Sequence, residues 1–331
     1  MEKKKDLYFQ FLRAVCVIAV ICVHCVPFDE YPQFTIIFRQ FINFPVAFFF
    51  FISAYFARQS VFGTDAAYKR LSKLFFPFII WNILYWIYWI MLNHQFPAAK
   101  ITVSFILGNG PGFHLYYLVV MFQFIILTPY ILKVFLSKNS LPKILLLFMS
   151  LSALLAVYYV NYHDLRIKAL YQSFFLTWGI FWFFGLNYEN ITSKFRTKMI
   201  VLCCLVVALV FSVFEAYKIM DITGSFNFAI SQIKLSSFIY SLFLIVLMMK
   251  LRRDMKENSI MVIIGNYSFG IYLVHVFILN FIKLMPAFTG QKFLLAVFPL
   301  RVILTLFISL AIVIAANKIL PKKIVKIIGF S

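Results

Sequence analysis

The run LYFQFLRAVCVIAVICVHCV at residues 7–26 decides the fold. It is almost unbroken apolar sequence, and at ~1.5 Å per residue it is long enough to cross a hydrocarbon core of roughly 30 Å. Two of its residues are expensive in lipid, Arg13 and His24. They are separated by about three helical turns, so both lie on one stripe, roughly 16 Å apart along the axis. That placement points to a polar seam facing the interior of a helical bundle. A blander reading stands beside it, in which Arg13 snorkels to the headgroups and His24 sits at the far interface.

The rest of the chain extends this pattern. Of its 331 residues, 63% are hydrophobic, 20% aromatic and only 13% charged. A soluble domain carries about 25% charged residues. Mean hydropathy is +0.93. These values predict an all-α polytopic membrane protein, one integral membrane domain over residues 1–331. Only short tails at 1–6 and 320–331 and brief loops lie outside the apolar segments. The formal net charge of +20 does not indicate a nucleic-acid binder. Its basic residues come in small clusters between apolar spans, as topology signals do. The first run is also too long and too aromatic for a cleaved signal. The five cysteines (Cys16, Cys22, Cys25, Cys203 and Cys204) lie within apolar runs and lack metal-ligand spacing, so no metal site is expected.

About ten spans are expected, at residues 7–26, 36–57, 74–92, 113–135, 144–160, 169–188, 199–217, 228–249, 260–282 and 296–319. Basic residues mark alternate loops: Arg58 to Lys73, Lys133 to Lys143, Lys194 to Lys198, Lys250 to Lys256, and the tail from Lys318. The turn after the first span carries Asp29 and Glu30 instead. By the positive-inside rule both termini are then cytoplasmic. No internal repeat is visible, which weighs against a transporter built from duplicated halves.

Five segments in order resemble the membrane acyltransferase-3 family. Arg13 and His24 look like its R-x10-H signature. FFFFISAYF (48–56), KRLSKLFFPF (69–78), FHLYYLVVMFQF (113–124) and IGNYSFGIYLVHVFIL (264–279) resemble, in turn, its F-F-x-x-S-G, R-x-x-R…P, H-L-W-Y-L and S-x-x-I-Y-L-x-H segments. The chain departs from the pattern at Ala54 for the usual Gly, Lys73 for the second Arg, and Tyr116 for the usual Trp. Lys73 keeps a charge but lacks the planar fork that grips a phosphate through two bonds. The soluble esterase-like domain that some members carry is not seen in this sequence. The stand-alone form and the stretch MFQFIIL (121–127) resemble members that acylate surface exopolysaccharide.

The resemblance implies an integral membrane O-acyltransferase in the bacterial cytoplasmic membrane. It would move an acyl group, acetyl first and succinyl as the alternative, from cytoplasmic acyl-CoA to a hydroxyl of an extracytoplasmic polysaccharide or lipid-linked glycan. Acyl-CoA is then a donor substrate, with no permanently bound cofactor, and glycan-synthesis machinery is a candidate partner. Lys69, Arg70 and Lys73 would meet the phosphates of coenzyme A, although the same cluster also reads as a topology anchor. Arg13 would hold phosphate or orient the donor arm. His24 would be general base to the acceptor hydroxyl, since a group with a pKa near ~6.5 can accept a proton at neutral pH. Ser53, Tyr116 and Asn82 are candidate oxyanion donors. His114 and Glu215 are candidates for the acceptor site, Glu215 also for orienting His24. His275 reads equally as a packed histidine or as part of the site. Two rival readings remain, a glycan carrier or flippase with Arg13 and His24 lining the path, and a non-catalytic membrane subunit of a polysaccharide synthase.

Overall fold

The computed structural model describes residues 6–26, 32–59, 64–165, 167–189, 197–284 and 294–330. The acidic turn with Asp29 and Glu30, and Lys194 and Arg196 of one basic loop, lie outside the described residues. Those that are described form helices joined by short connections, with no strand among them. In chain order the helices are α1 Leu7–Cys25, α2 Pro32–Ile42, α3 Pro45–Gln59, α4 Thr64–Asn93, α5 Ala98–Leu107, α6 Tyr116–Leu136, α7 Leu141–Tyr162, α8 Lys168–Gln172 and α9 Phe175–Leu186. They continue with α10 Lys198–Thr223, α11 Phe226–Ala229, α12 Leu235–Lys250, α13 Ile260–Asn266, α14 Ser268–Leu284, α15 Leu294–Ile319 and α16 Lys322–Ile327. Eight helical stretches among the described residues are long and apolar enough to cross a membrane, or nine if the bent pair α13–α14 is one span. The chain is an all-α polytopic membrane protein.

Helix α1 is the centre of the packing. Asp6 caps it, accepting from the backbone N–H groups of Tyr8 and Phe9, which meets donors the first turn cannot satisfy internally. One side, with Phe9, Leu12 and Cys16, belongs to one apolar cluster; the other, with Ala14, Val17 and Ile21, belongs to a second. α13 runs against α1 so closely that a Cβ on Gly265 would lie 1.8 Å from the Gln10 carbonyl oxygen. Only a residue without a side chain permits that approach, the use small residues serve between membrane helices. By contrast α7 and α10 turn Leu, Ile, Val and Phe outward, as lipid-facing helices do.

Three expected spans differ from continuous helices. The second is interrupted at Asn43 and Phe44, just before Pro45. Proline supplies no N–H and disfavours helical geometry in the residue before it. The break is used: the Asn43 side-chain amide donates to the carbonyls of Ile230 and Ser231, both at 3.1 Å. The eighth span starts as the short α11 and becomes a sustained helix only at Leu235, leaving α12 with 16 residues. Lys234, fully buried before it, donates to the Gln40 side-chain oxygen at 2.8 Å. The ninth span is α13 and α14 meeting at 83°. This bend brings Gly265, Asn266, Ser268 and Phe269 to the wall of a cavity.

Candidate functional site

Two cavities lie at opposite ends of α1 and share Tyr117 and Tyr272 in their walls. The first, about 440 Å³, is lined by Arg13, Ser53, Arg70 and Lys73 together with the α13–α14 bend. We call it the basic cavity. Arg13 donates to the Gln10 side-chain oxygen at 3.2 Å and faces the Phe56 ring at 5.9 Å. Ser53 is hydrogen-bonded to the Tyr117 side chain. Lys69 is exposed and is not in the lining. It stands one helical turn before Lys73, roughly 6 Å nearer the start of α4.

The second cavity, about 550 Å³, contains His24 and His114 in its wall, with Tyr116 and Arg39 beside them. We call it the histidine cavity. Ring centroids place His24 5.2 Å from His275 and 6.3 Å from His114, with His114 5.0 Å from His275. Three histidines from α1, the turn before α6 and α14 thus converge on one point. Among the described residues no group of His, Cys, Asp and Glu side chains has the arrangement of a metal site.

The framework around the cluster is specific. Tyr85 on α4 is spliced into the backbone of α14, donating to the Leu273 carbonyl at 2.9 Å and accepting from the Phe277 N–H at 3.2 Å. Tyr272 donates to the His114 carbonyl. His275 Nδ1 lies 2.7 Å from the Tyr272 carbonyl oxygen, which can only accept. Nδ1 therefore carries a proton, and in the neutral form of the ring the lone pair lies on Nε2. That nitrogen is buried without a hydrogen-bond partner among the described residues.

The other expected residues fall elsewhere. Glu215 on α10 lies outside both cavity walls. Its carboxylate accepts from the Tyr158 hydroxyl at 2.5 Å and from the Ser236 N–H at 3.1 Å, fastening α7, α10 and α12 together. Asn82 is committed to Ser104, donating to its carbonyl at 3.2 Å and accepting from its hydroxyl at 3.1 Å. Arg39 was not singled out by sequence reasoning, although it stood inside an apolar span four positions before Asn43. It is 6% exposed, and it donates to the Asn43 side-chain oxygen at 3.2 Å and the Val23 carbonyl at 3.5 Å. The rule that an ionisable residue within a span marks a candidate site would have found it.

Sequence comparison matches residues 6–318 to a family described as an acyltransferase domain. Curated relatives from Staphylococcus aureus strains MSSA476, MRSA252 and MW2 are each named a probable poly-beta-1,6-N-acetyl-D-glucosamine export protein. Each is 27% identical over 222 residues, which is 64% of this chain and 61% of the relative. The chain therefore spans less than two thirds of the length of the curated relatives it matches. No solved structure matches it. With a family match over nearly all of its length, the chain belongs to the acyltransferase-3 family.

Proposed function

We propose that this protein transfers an acyl group from cytoplasmic acyl-CoA to a hydroxyl of an extracytoplasmic polysaccharide or lipid-linked glycan. The observation that carries the reading is the pair of cavities meeting at Tyr117 and Tyr272, one lined by Arg13, Arg70 and Lys73 and the other by His24 and His114. The guanidinium and ammonium groups suit the phosphates of coenzyme A. The far cavity has Asn161, Gln172, Asn227, Gln232 and Asn280 in its wall, alongside aromatic rings. Amides and rings together suit sugar hydroxyls and the apolar faces of sugar rings.

The basic cavity then opens to the cytoplasm, with both termini on that side and the protein in the bacterial cytoplasmic membrane. The donor's thioester reaches the shared wall from below. His24 takes the proton of the acceptor hydroxyl as its oxygen bonds to the acyl carbonyl carbon. The carbon–sulfur bond breaks, and coenzyme A leaves as a thiolate that takes up a proton. Acetyl is the first acyl group to test and succinyl the second.

The test is transfer of radiolabel from acetyl-CoA and succinyl-CoA in inverted vesicles containing wild type or His24→Ala. Label should reach glycan in wild type and fall by at least about a hundredfold in the variant. Normal transfer by His24→Ala removes the assigned base. The relatives named for export support a second reading, a glycan carrier whose path runs through both cavities. Glycan crossing the membrane without label from either donor would select it.

A further inference from the structure

The histidine cavity has an unbalanced charge. Arg39, Lys168 and Lys283 line it, and among the described residues its wall holds no Asp or Glu. Lys168 is paired with Asp164 at 3.4 Å on the protein surface, and Lys283 lies exposed near the end of α14. Arg39 differs from both. It is nearly fully buried, its hydrogen bonds run to neutral oxygens of Asn43 and Val23, and no ion pair joins it to a carboxylate among the described residues.

Burying a guanidinium without a counter-charge is costly, because neutral oxygens replace only part of its hydration. The fold maintains that cost deliberately. Asn43, which accepts from Arg39, also ties down Ile230 and Ser231, and both of these line the same cavity. The guanidinium, the broken second span and the 230–233 segment are thus one unit facing one space. A cation so held, in a cavity also containing His24, is matched by an anion that arrives with the substrate.

We propose that Arg39 forms an anion subsite in the histidine cavity, binding a carboxylate carried by a reactant beside the hydroxyl or acyl carbon undergoing transfer. The inference deepens the proposed acyl transfer and rests on it for the identity of the reactants. The anion has two sources, an acidic glycan acceptor or a dicarboxylic acyl group whose free carboxylate projects past the thioester into this cavity. The guanidinium presents planar paired donors that suit either oxyanion.

The experiment measures binding, so its result does not depend on transfer. Full-length protein in nanodiscs of neutral phosphatidylcholine is titrated with methyl glucuronide and methyl glucoside by saturation-transfer NMR. It is titrated separately with succinyl-CoA and acetyl-CoA. Wild type, Arg39→Lys and Arg39→Gln are compared. An acidic acceptor is indicated when glucuronide binds about tenfold tighter than glucoside and Arg39→Gln abolishes the difference. A dicarboxylic acyl group is indicated when Arg39→Gln weakens succinyl-CoA about tenfold and leaves acetyl-CoA unchanged. In either case Arg39→Lys retains part of the preference. If Arg39→Gln fails to fold, Arg39→Lys against wild type provides the test, and it should weaken the preference for the charged ligand. Lys168→Ala with Lys283→Ala should leave that preference in place, and its loss there would assign the anion to the rim cations and overturn the proposal. Equal binding of charged and neutral ligands by wild type overturns the proposal, whatever the outcome for transfer.

Discussion

The two cavities divide the chemistry of one helix stripe. Arg13 opens into the basic cavity and His24 into the other, with Tyr117 and Tyr272 between them. Both cavities are cationic, but they obtain their charge differently. Near the start of α4, Lys73 is exposed and Arg70 half-buried. Arg39 is sealed into the opposite cavity, held by an asparagine and a backbone carbonyl. The first arrangement is one that topology alone would also produce. The second has a standing energetic cost, and so points more strongly to a ligand.

The largest expected effect separates base from donor grip. His24→Ala should lower transfer by at least about a hundredfold while leaving acyl-CoA affinity within about twofold, as measured by single-turnover transfer and equilibrium donor binding. A matching loss of donor affinity would merge the two cavities into one functional unit. Next comes a residue outside both. Glu215→Ala leaves the Tyr158 hydroxyl and Ser236 N–H without their shared acceptor, at a cost of about 1–3 kcal/mol in stability. Thermal unfolding in detergent should record it, with transfer per folded molecule unchanged. A specific loss of transfer would return Glu215 to the site.

A smaller effect tests the basic cavity itself. Removing both charges, Arg70→Ala with Lys73→Ala, should raise the donor KM about tenfold with kcat nearly constant. A fall in kcat alone would place these cations at the reacting carbon. The smallest effect is expected one position away. Lys69→Ala should change the donor KM by less than about twofold, because an exposed charge contributes little. A change as large as that of the double variant would mean that general surface charge, and not the cavity, attracts the donor.

Much of the architecture was readable before folding. Apolar length and basic punctuation locate the helices, because lipid demands helical backbone and penalises charge regardless of which helices become neighbours. The corrections came from local chemistry. Pro45 broke the second span, Gly265 and Asn266 preceded the sharp bend in the ninth, and Lys234 stood immediately before α12. Each residue was visible, but whether a break is bridged or used depends on what packs against it. Asn43 makes the point, since its partners lie at Ile230 and Ser231, far along the chain.

The same division holds at the site. By itself the sequence determined that Arg13 and His24 share a stripe, because helical periodicity is local and α1 runs from Leu7 to Cys25 without a break. It also determined that Lys69, Arg70 and Lys73 cluster, though only helix orientation put two of them into the cavity and one outside. Only tertiary structure brought His114 and His275 to His24, turned Arg39 toward the same space and committed Glu215 to bracing helices. Those outcomes depend on contacts between residues distant in the chain. A histidine's role follows from the neighbours that hold its ring, and for His275 these are a carbonyl one turn back and a tyrosine from another helix spliced into its own.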